Sequence, residues 1–220
     1  MENMNSIAAI PVIVYGAGGL GREVMQIVLK TLTTANGEYA ALGYVDDGVA
    51  PGTILNGFPV LGGGDYLENL DRDIALMLGI AAPDVKAGLY RKFKEKRGIS
   101  FPNVIHPGAS VSGHARLGRG VVAMFGSYIS IDAVLGDFVF INNGASIGHD
   151  SIIGAFTSIM PLAAISGNVT VGERCLIGVQ CSVKQGLSIG NDATVGMGSV
   201  VLSDVPDGVT VVGNPARTIG

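Results

Sequence analysis

The stretch Ile141-Asn142-Asn143-Gly144-Ala145-Ser146-Ile147-Gly148-His149-Asp150 carries the most explicit chemistry in the chain. A histidine followed directly by an acid suits general-base work. The neutral imidazole takes a proton from an attacking amine or hydroxyl, and the neighbouring carboxylate raises its basicity and stabilises the imidazolium that forms. A second set of residues stands near the start: Gly16-Ala17-Gly18-Gly19-Leu20-Gly21, then Asp46 and Asp47, with Asp46 lying 30 residues after Gly16. A glycine turn between strand and helix offers backbone N–H groups to a phosphate, and the helix dipole favours the anion. An acid at the end of the second strand commonly meets ribose hydroxyls. Taken alone, this loop also suggests a nicotinamide dinucleotide.

The elements that must hold these residues follow two different rules. From Ile105 to Val201, every sixth residue is Ile, Val or Leu at 16 of 17 positions, the exception being Ala123. Four residues after most of them comes a small side chain, such as Ala109, Ala133, Ala145, Ser151, Cys175 or Cys181. A strict six-residue repeat is the mark of a parallel β-helix, with one large and one small inward position per hexad. Three hexads make one coil of 18 residues. His149, two residues after inward Ile147, then points outward, and Gly167 lies one coil along, about 4.8 Å down the axis. A glycine there permits close approach of a thioester, and its N–H suits a developing oxyanion.

The first half alternates strands and helices. The apolar run from Ile7 to Tyr15 reads as a first strand, Arg22 to Leu32 as an amphipathic helix, and Ala41–Val45 and Ile74–Ile80 as further strands. A helix is expected over Val85 to Arg97, with Val85, Leu89 and Phe93 on its buried face. Lys86 and the other basic residues fall on its solvated remainder. This pattern implies a small Rossmann-like α/β domain over 1–102, ahead of a β-helix over 103–220. About 100 residues is short for a full dinucleotide fold, and a β-helix has no evident use for hydride.

Composition supports the division. Of 220 residues 34 are glycine, 48% are hydrophobic and 15% are charged. The glycines have no three-residue period, which excludes collagen, and the low charge excludes a disordered chain. A net charge of −4 argues against a nucleic-acid-binding surface. Two cysteines make no disulfide scaffold, so the expected location is cytoplasmic, and no apolar run reaches membrane-spanning length. Cys175 and Cys181 fall on the inward register and read as core filler.

The hexad pattern resembles the hexapeptide-repeat, left-handed parallel β-helix family. Its members are mostly trimeric acyltransferases with active sites between neighbouring prisms. The closing Gly213-Asn214-Pro215-Ala216 is similar to the segment that lies near coenzyme A in those enzymes, although such a turn also serves as a plain chain reversal. With the Rossmann-like domain, the whole chain resembles the sialic-acid O-acetyltransferase and nucleotide-aminosugar N-acetyltransferase family. That resemblance implies catalysis by His149, Asp150 and the Gly167 amide. It implies acetyl-CoA contacts from Ser158, Gly167, Val179, Lys184, Met197, Gly213, Asn214 and Pro215. A nucleotide-linked amino sugar would meet Gly18, Gly19, Leu20, Asp46, Asp47, Ala81, Ala82 and Asn142, without any metal. The chain departs from the family at two places. Ser158 stands where many relatives carry a second histidine, nine residues after the first. Leu20 replaces the histidine of the usual glycine loop.

The expected activity is acetyl transfer from acetyl-CoA to the 4-amino group of a nucleotide-linked sugar by a homotrimer. Rival readings are O-acetylation of sialic acid, a metal-dependent hydratase and a non-catalytic scaffold. The hydratase would need three histidines around one interface, and His106, His114 and His149 share no 18-residue register.

Overall fold

The computed structural model describes residues 9–33 and 38–219. Ile7 and Ala8, at the head of the first apolar run, lie outside the described residues. The chain divides into two compact units. One comprises the residues up to Gly79 together with Phe93–Val104, and the other Ile80–Lys92 together with the residues from Ile105 onward.

In the first unit the elements are β1 (Ile10–Tyr15), α1 (Gly19–Thr31), β2 (Tyr39–Val45), β3 (Ile54–Leu55), β4 (Phe58–Gly62), α2 (Gly64–Glu68), β5 (Ile74–Leu78) and β6 (Ile99–Ser100). They form one sheet in the order β3-β4-β2-β1-β5-β6, parallel except for the β3–β4 hairpin. Val12, Ile13 and Val14 are fully buried, as a central parallel strand covered on both faces requires. The hairpin, α2 and β6 have no counterpart in the sequence reading. Strands β3 and β6 are two residues long, too short for periodicity to register. Strand β4 carries Pro59 and Gly62, residues that argue against a strand.

Helix α1 starts at Gly19, inside the glycine turn rather than after it. A side chain at Gly21 would run into the Gly16 carbonyl, and one at Gly79 would run into the Gly21 Cα. The turn, the first helical turn and the end of β5 therefore pack backbone to backbone.

The second unit is a three-faced parallel β-helix of two-residue strands. Up to the last coil, strands pair with those 18 residues on, as in Ser146↔Ala164, Ile147↔Ile165 and Val134↔Ile152. The large aliphatic of every hexad lies inside, where Ile129, Ile141, Ile147, Ile159, Ile177 and Val195 are fully buried. Three residues after most of them comes a corner residue with positive φ, including Asp132, Phe138, Asp150, Phe156, Asn168 and Asp192. Cys175 and Cys181 fill the core as free, buried thiols; burial raises both, that of Cys181 to about 12.

Segment 80–92 belongs to this second unit, and its helix α3 (Pro83–Phe93) corrects one expectation. Val85 is 48% exposed while Lys86 is only 2% exposed, so the buried face runs through Lys86, Ala87 and Tyr90; of the expected set Phe93 is buried, at 1% exposed, and Leu89 half-buried. Polarity misassigned that face because the ammonium finds hydrogen-bond acceptors inside. Lys86 Nζ meets the carbonyl oxygens of Phe138 and Thr157 and the hydroxyl of Ser158. Tyr90 packs on Phe138 and Phe156, whose rings stack 5.4 Å apart.

Candidate active site

His149 sits on a corner of the β-helix, between the strands Ser146–Ile147 and Ile152–Ile153. Its Nδ1 lies 2.7 Å from Asp150 Oδ2, and both side chains are about half exposed. A carboxylate partner that only accepts favours, in the neutral ring, the tautomer with its proton on Nδ1 and its lone pair on Nε2. Asp150 reaches this position because its backbone is left-handed (φ 57), which an aspartate tolerates better than most residues.

One coil along, the imidazole lies over Gly167. A Cβ there would stand 2.5 Å from His149 Nε2 and 2.6 Å from Cε1. Positive φ falls at Asn168, not at Gly167, so the glycine serves to make room for the ring rather than to form the turn. In three other hexads a carbonyl or carboxylate oxygen one coil up caps the N–H at the matching corner position: Asp137 at Arg119, Asn191 at Glu173 and Asp207 at Asn191. Among the described residues nothing accepts from the Gly167 N–H. Asn142, nearly buried on the preceding hexad, turns its Oδ1 to the Asn143 N–H at 2.7 Å.

The remaining expected residues of the β-helix fall into separate groups. Lys184 shares the corner of His149, in register with Gly148 and Ser166, and is exposed. Val179 and Met197 occupy the opposite border of the same face, Met197 being 77% exposed. Arg174, weighed with Lys184 as a phosphate contact, is held by Asp192 at 2.7 and 2.8 Å and by Glu173 at 2.9 Å. Its hydrogen bonds to Asp192 push the guanidinium further up and the carboxyl down. Gly213, Asn214 and Pro215 form the reversal between two antiparallel strands, Thr210–Val212 and Arg217–Ile219. Ser158, expected against acetyl-CoA, is instead fully buried on another face and presents no surface to a ligand; its hydroxyl bonds the Ala81 carbonyl at 2.6 Å and Lys86 Nζ at 2.8 Å. Sequence reasoning missed this use of Lys86, because only the packing of α3 reveals it.

In the first unit, a side chain at Gly18 or Gly19 would meet no atom within 4 Å, so the mouth of the loop is open. Gly18 caps α1 without a side chain, leaving the first N–H groups of the helix free of a side-chain cap. Leu20 is half-buried beside them. Both acids are engaged locally. Asp46 accepts the N–H groups of Ala17 and Gly48 at 2.8 Å, which shapes the loop. Asp47 accepts the Tyr15 hydroxyl at 2.6 Å and the Gly64 N–H at 2.8 Å. Burial and this carboxylate push the Tyr15 hydroxyl well above its ordinary value. Ala81 is half-buried and Ala82 exposed.

A family model described as the PglD N-terminal domain matches residues 11–93, and one described as a hexapeptide repeat of succinyl-transferase matches 168–203. GDP-perosamine N-acetyltransferase of Escherichia coli O157:H7 is 32% identical over 210 residues, covering 93% of this chain and 94% of that protein. The chain belongs to this sugar N-acetyltransferase family. Its fold agrees with that of PerB from Caulobacter crescentus, solved in complex with CoA and GDP-perosamine, at TM-score 0.84 and 36% identity over 96% of this chain and 97% of that one. The acetyltransferase domain of PglB from Neisseria gonorrhoeae, solved with acetyl coenzyme A, matches at TM-score 0.85 and 33% identity over 96% and 100%. As a family member, the chain is an acetyl-CoA-dependent acetyltransferase. Among the described residues, no cluster of His, Cys, Asp and Glu is arranged to hold a metal ion. No described helix is long and apolar enough to cross a membrane.

Proposed function

We propose that the chain acetylates the 4-amino group of a nucleotide-linked amino sugar as a cytoplasmic homotrimer, with GDP as the favoured nucleotide. Residues 1–102 would bind the nucleotide sugar and residues 103–220 carry the transfer. The observation that carries the reading is His149, its Nδ1 pinned by Asp150 and its Nε2 directed over the Cβ-free Gly167. The names of the relatives, GDP-perosamine N-acetyltransferase among them, favour nitrogen over a sialic-acid hydroxyl as the acceptor.

In this mechanism Nε2 of His149 removes a proton from the sugar amine as the C–N bond to the acetyl carbon forms. Asp150 steadies the resulting imidazolium through Nδ1. The open N–H of Gly167 donates to the carbonyl oxygen as it gains negative charge. When the C–S bond breaks, His149 returns the proton to the departing sulfur, which leaves neutral base and coenzyme A thiol. The free N–H groups at the start of α1 suit the diphosphate of the nucleotide. Lys184 suits an anionic part of coenzyme A, and Val179 and Met197 suit its apolar arm. Exposed apolar residues along the β-helix, among them Phe125, Tyr128, Ile131 and Leu162, support burial against further copies.

The test is a coenzyme A release assay with GDP-, UDP- and dTDP-linked 4-amino sugars, beside free sialic acid. Transfer to the amino sugar, strongest with GDP, is the expected result. Acetylation of sialic acid alone would overturn the reading, and a monomeric mass in solution would remove the trimer.

A further inference from the structure

This chain places the Ser158 hydroxyl against a buried ammonium group. Among the described residues, Lys86 is the one charged side chain in the buried set. Its Nζ has three neutral acceptors: Ser158 Oγ at 2.8 Å, the Phe138 carbonyl at 2.9 Å and the Thr157 carbonyl at 3.3 Å. An ammonium has three N–H donors and no acceptor, so the cage matches it donor for donor.

The loop carbonyl sets the direction of the next bond. The Ala81 carbonyl can only accept, so Ser158 Oγ gives it its one proton at 2.6 Å and accepts from Lys86 Nζ. The relay Lys86 to Ser158 to Ala81 therefore starts in the first turns of α3 and ends on the loop just before it. The Lys86 N–H also bonds the Ala82 carbonyl at 3.1 Å, closing the helix start over the same loop. One turn on, Tyr90 clamps α3 against the stacked Phe138 and Phe156 rings. An apolar side chain would anchor a helix here at less desolvation cost than a buried charge. What it would not supply is the directed hydrogen bond that fixes the Ala81 carbonyl.

We propose that Lys86 is a positioning residue for the acceptor, acting through Ser158 to hold the Ala81–Ala82 loop where it receives the nucleotide-linked sugar. The proposal rests on the reading above that Ala81 and Ala82 contact the acceptor. Deleting the Ser158 hydroxyl releases the loop and leaves the His149 corner untouched.

The experiment compares wild type, Ser158→Ala, Ser158→Thr and Lys86→Met. Both substrates, GDP-linked 4-amino sugar and acetyl-CoA, are varied, and amide hydrogen exchange of residues 80–86 is followed in parallel. In Ser158→Ala the sugar KM rises roughly 3- to 10-fold, the loss of one hydrogen bond. The acetyl-CoA KM and kcat stay unchanged, and exchange over 80–82 quickens. Ser158→Thr, which restores a hydroxyl, recovers the sugar KM and the slow exchange. Lys86→Met shifts both readouts the same way, and if it fails to fold, the serine variants decide. An unchanged sugar KM in folded Ser158→Ala overturns the proposal, as does an equal rise of both KM values with a fall in kcat. Should wild type transfer no acetyl to any nucleotide-linked amino sugar, the proposed function fails. Exchange over 80–82 then still reads the latch, and unaltered exchange in Ser158→Ala removes it.

Discussion

The imidazole of His149 occupies the space in which a side chain at position 167 would begin, with Nε2 2.5 Å from the place of a Cβ. The proposed base and the proposed oxyanion donor are thereby brought together by one coil step of the β-helix.

Gly167→Ala puts a methyl group against the imidazole and turns the ring away from its place. Because the backbone at Gly167 is not left-handed, alanine is accommodated without backbone strain. The expected outcome is a kcat loss approaching that of removing the base, with a thermal midpoint within a few degrees of wild type. Steady-state kinetics and thermal unfolding on the same preparation check it. Wild-type turnover would refute the placement.

His149→Ala removes the general base and lowers kcat by about 10²- to 10⁴-fold. The exposed ring contributes nothing to the core, so the fold is retained. Asp150→Asn keeps the side-chain shape and tolerates the same φ, but weakens the hold on the Nδ1 tautomer. Its kcat falls by less than that of His149→Ala. Steady-state kinetics on both variants beside wild type distinguish base from bystander.

Lys184 and Arg174 separate a free cation from a paired one. Lys184→Ala raises the acetyl-CoA KM while leaving stability alone. Arg174→Ala leaves that KM unchanged and costs less than about 1 kcal/mol, as expected for a solvated ion pair. Titration calorimetry with coenzyme A, run on both, reads the contrast directly.

Lys86 makes stability depend on pH. Burial lowers its pKa from 10.5 to about 7. Between those values the unfolded chain holds a proton that the native state has released, so wild-type stability rises with pH across that window. Below it both states are charged, and the full cost of burying the charge is present. Lys86→Met lacks this dependence, so its thermal midpoint, taken relative to wild type, falls steadily as pH rises from neutral into the alkaline range. Parallel curves for the two proteins would contradict the shift.

Much of the fold and the centre of the site were legible without coordinates. The hexad register from Ile105 to Val201 gave the coils, the inward cysteines and the stacking of His149 on Gly167, because an uninterrupted six-residue period converts sequence distance into axial distance. The first unit was legible in β1, β2 and β5, whose β-branched or apolar runs mark buried parallel strands. It was not legible in the β3–β4 hairpin or in β6, where two-residue strands leave no period to detect. Helix α3 was found and Phe93 was rightly expected inside, but its first turn was turned the wrong way, since Lys86 reads as solvent-facing wherever no partner is known.

By itself, then, the sequence determined what repeats: the prism, its inward and outward positions, and the adjacency of His149, Asp150 and Gly167 on one corner. Those are local or periodic properties, set by chain spacing alone. Only the tertiary structure decided the partners of groups far apart in the chain. It joined Lys86 to Ser158 across 72 residues and Tyr15 to Asp47 across 32. It also showed that Arg174 is already paired. A buried polar group is acceptable only when hydrogen-bond partners meet it in space, and no one-dimensional pattern encodes which ones will.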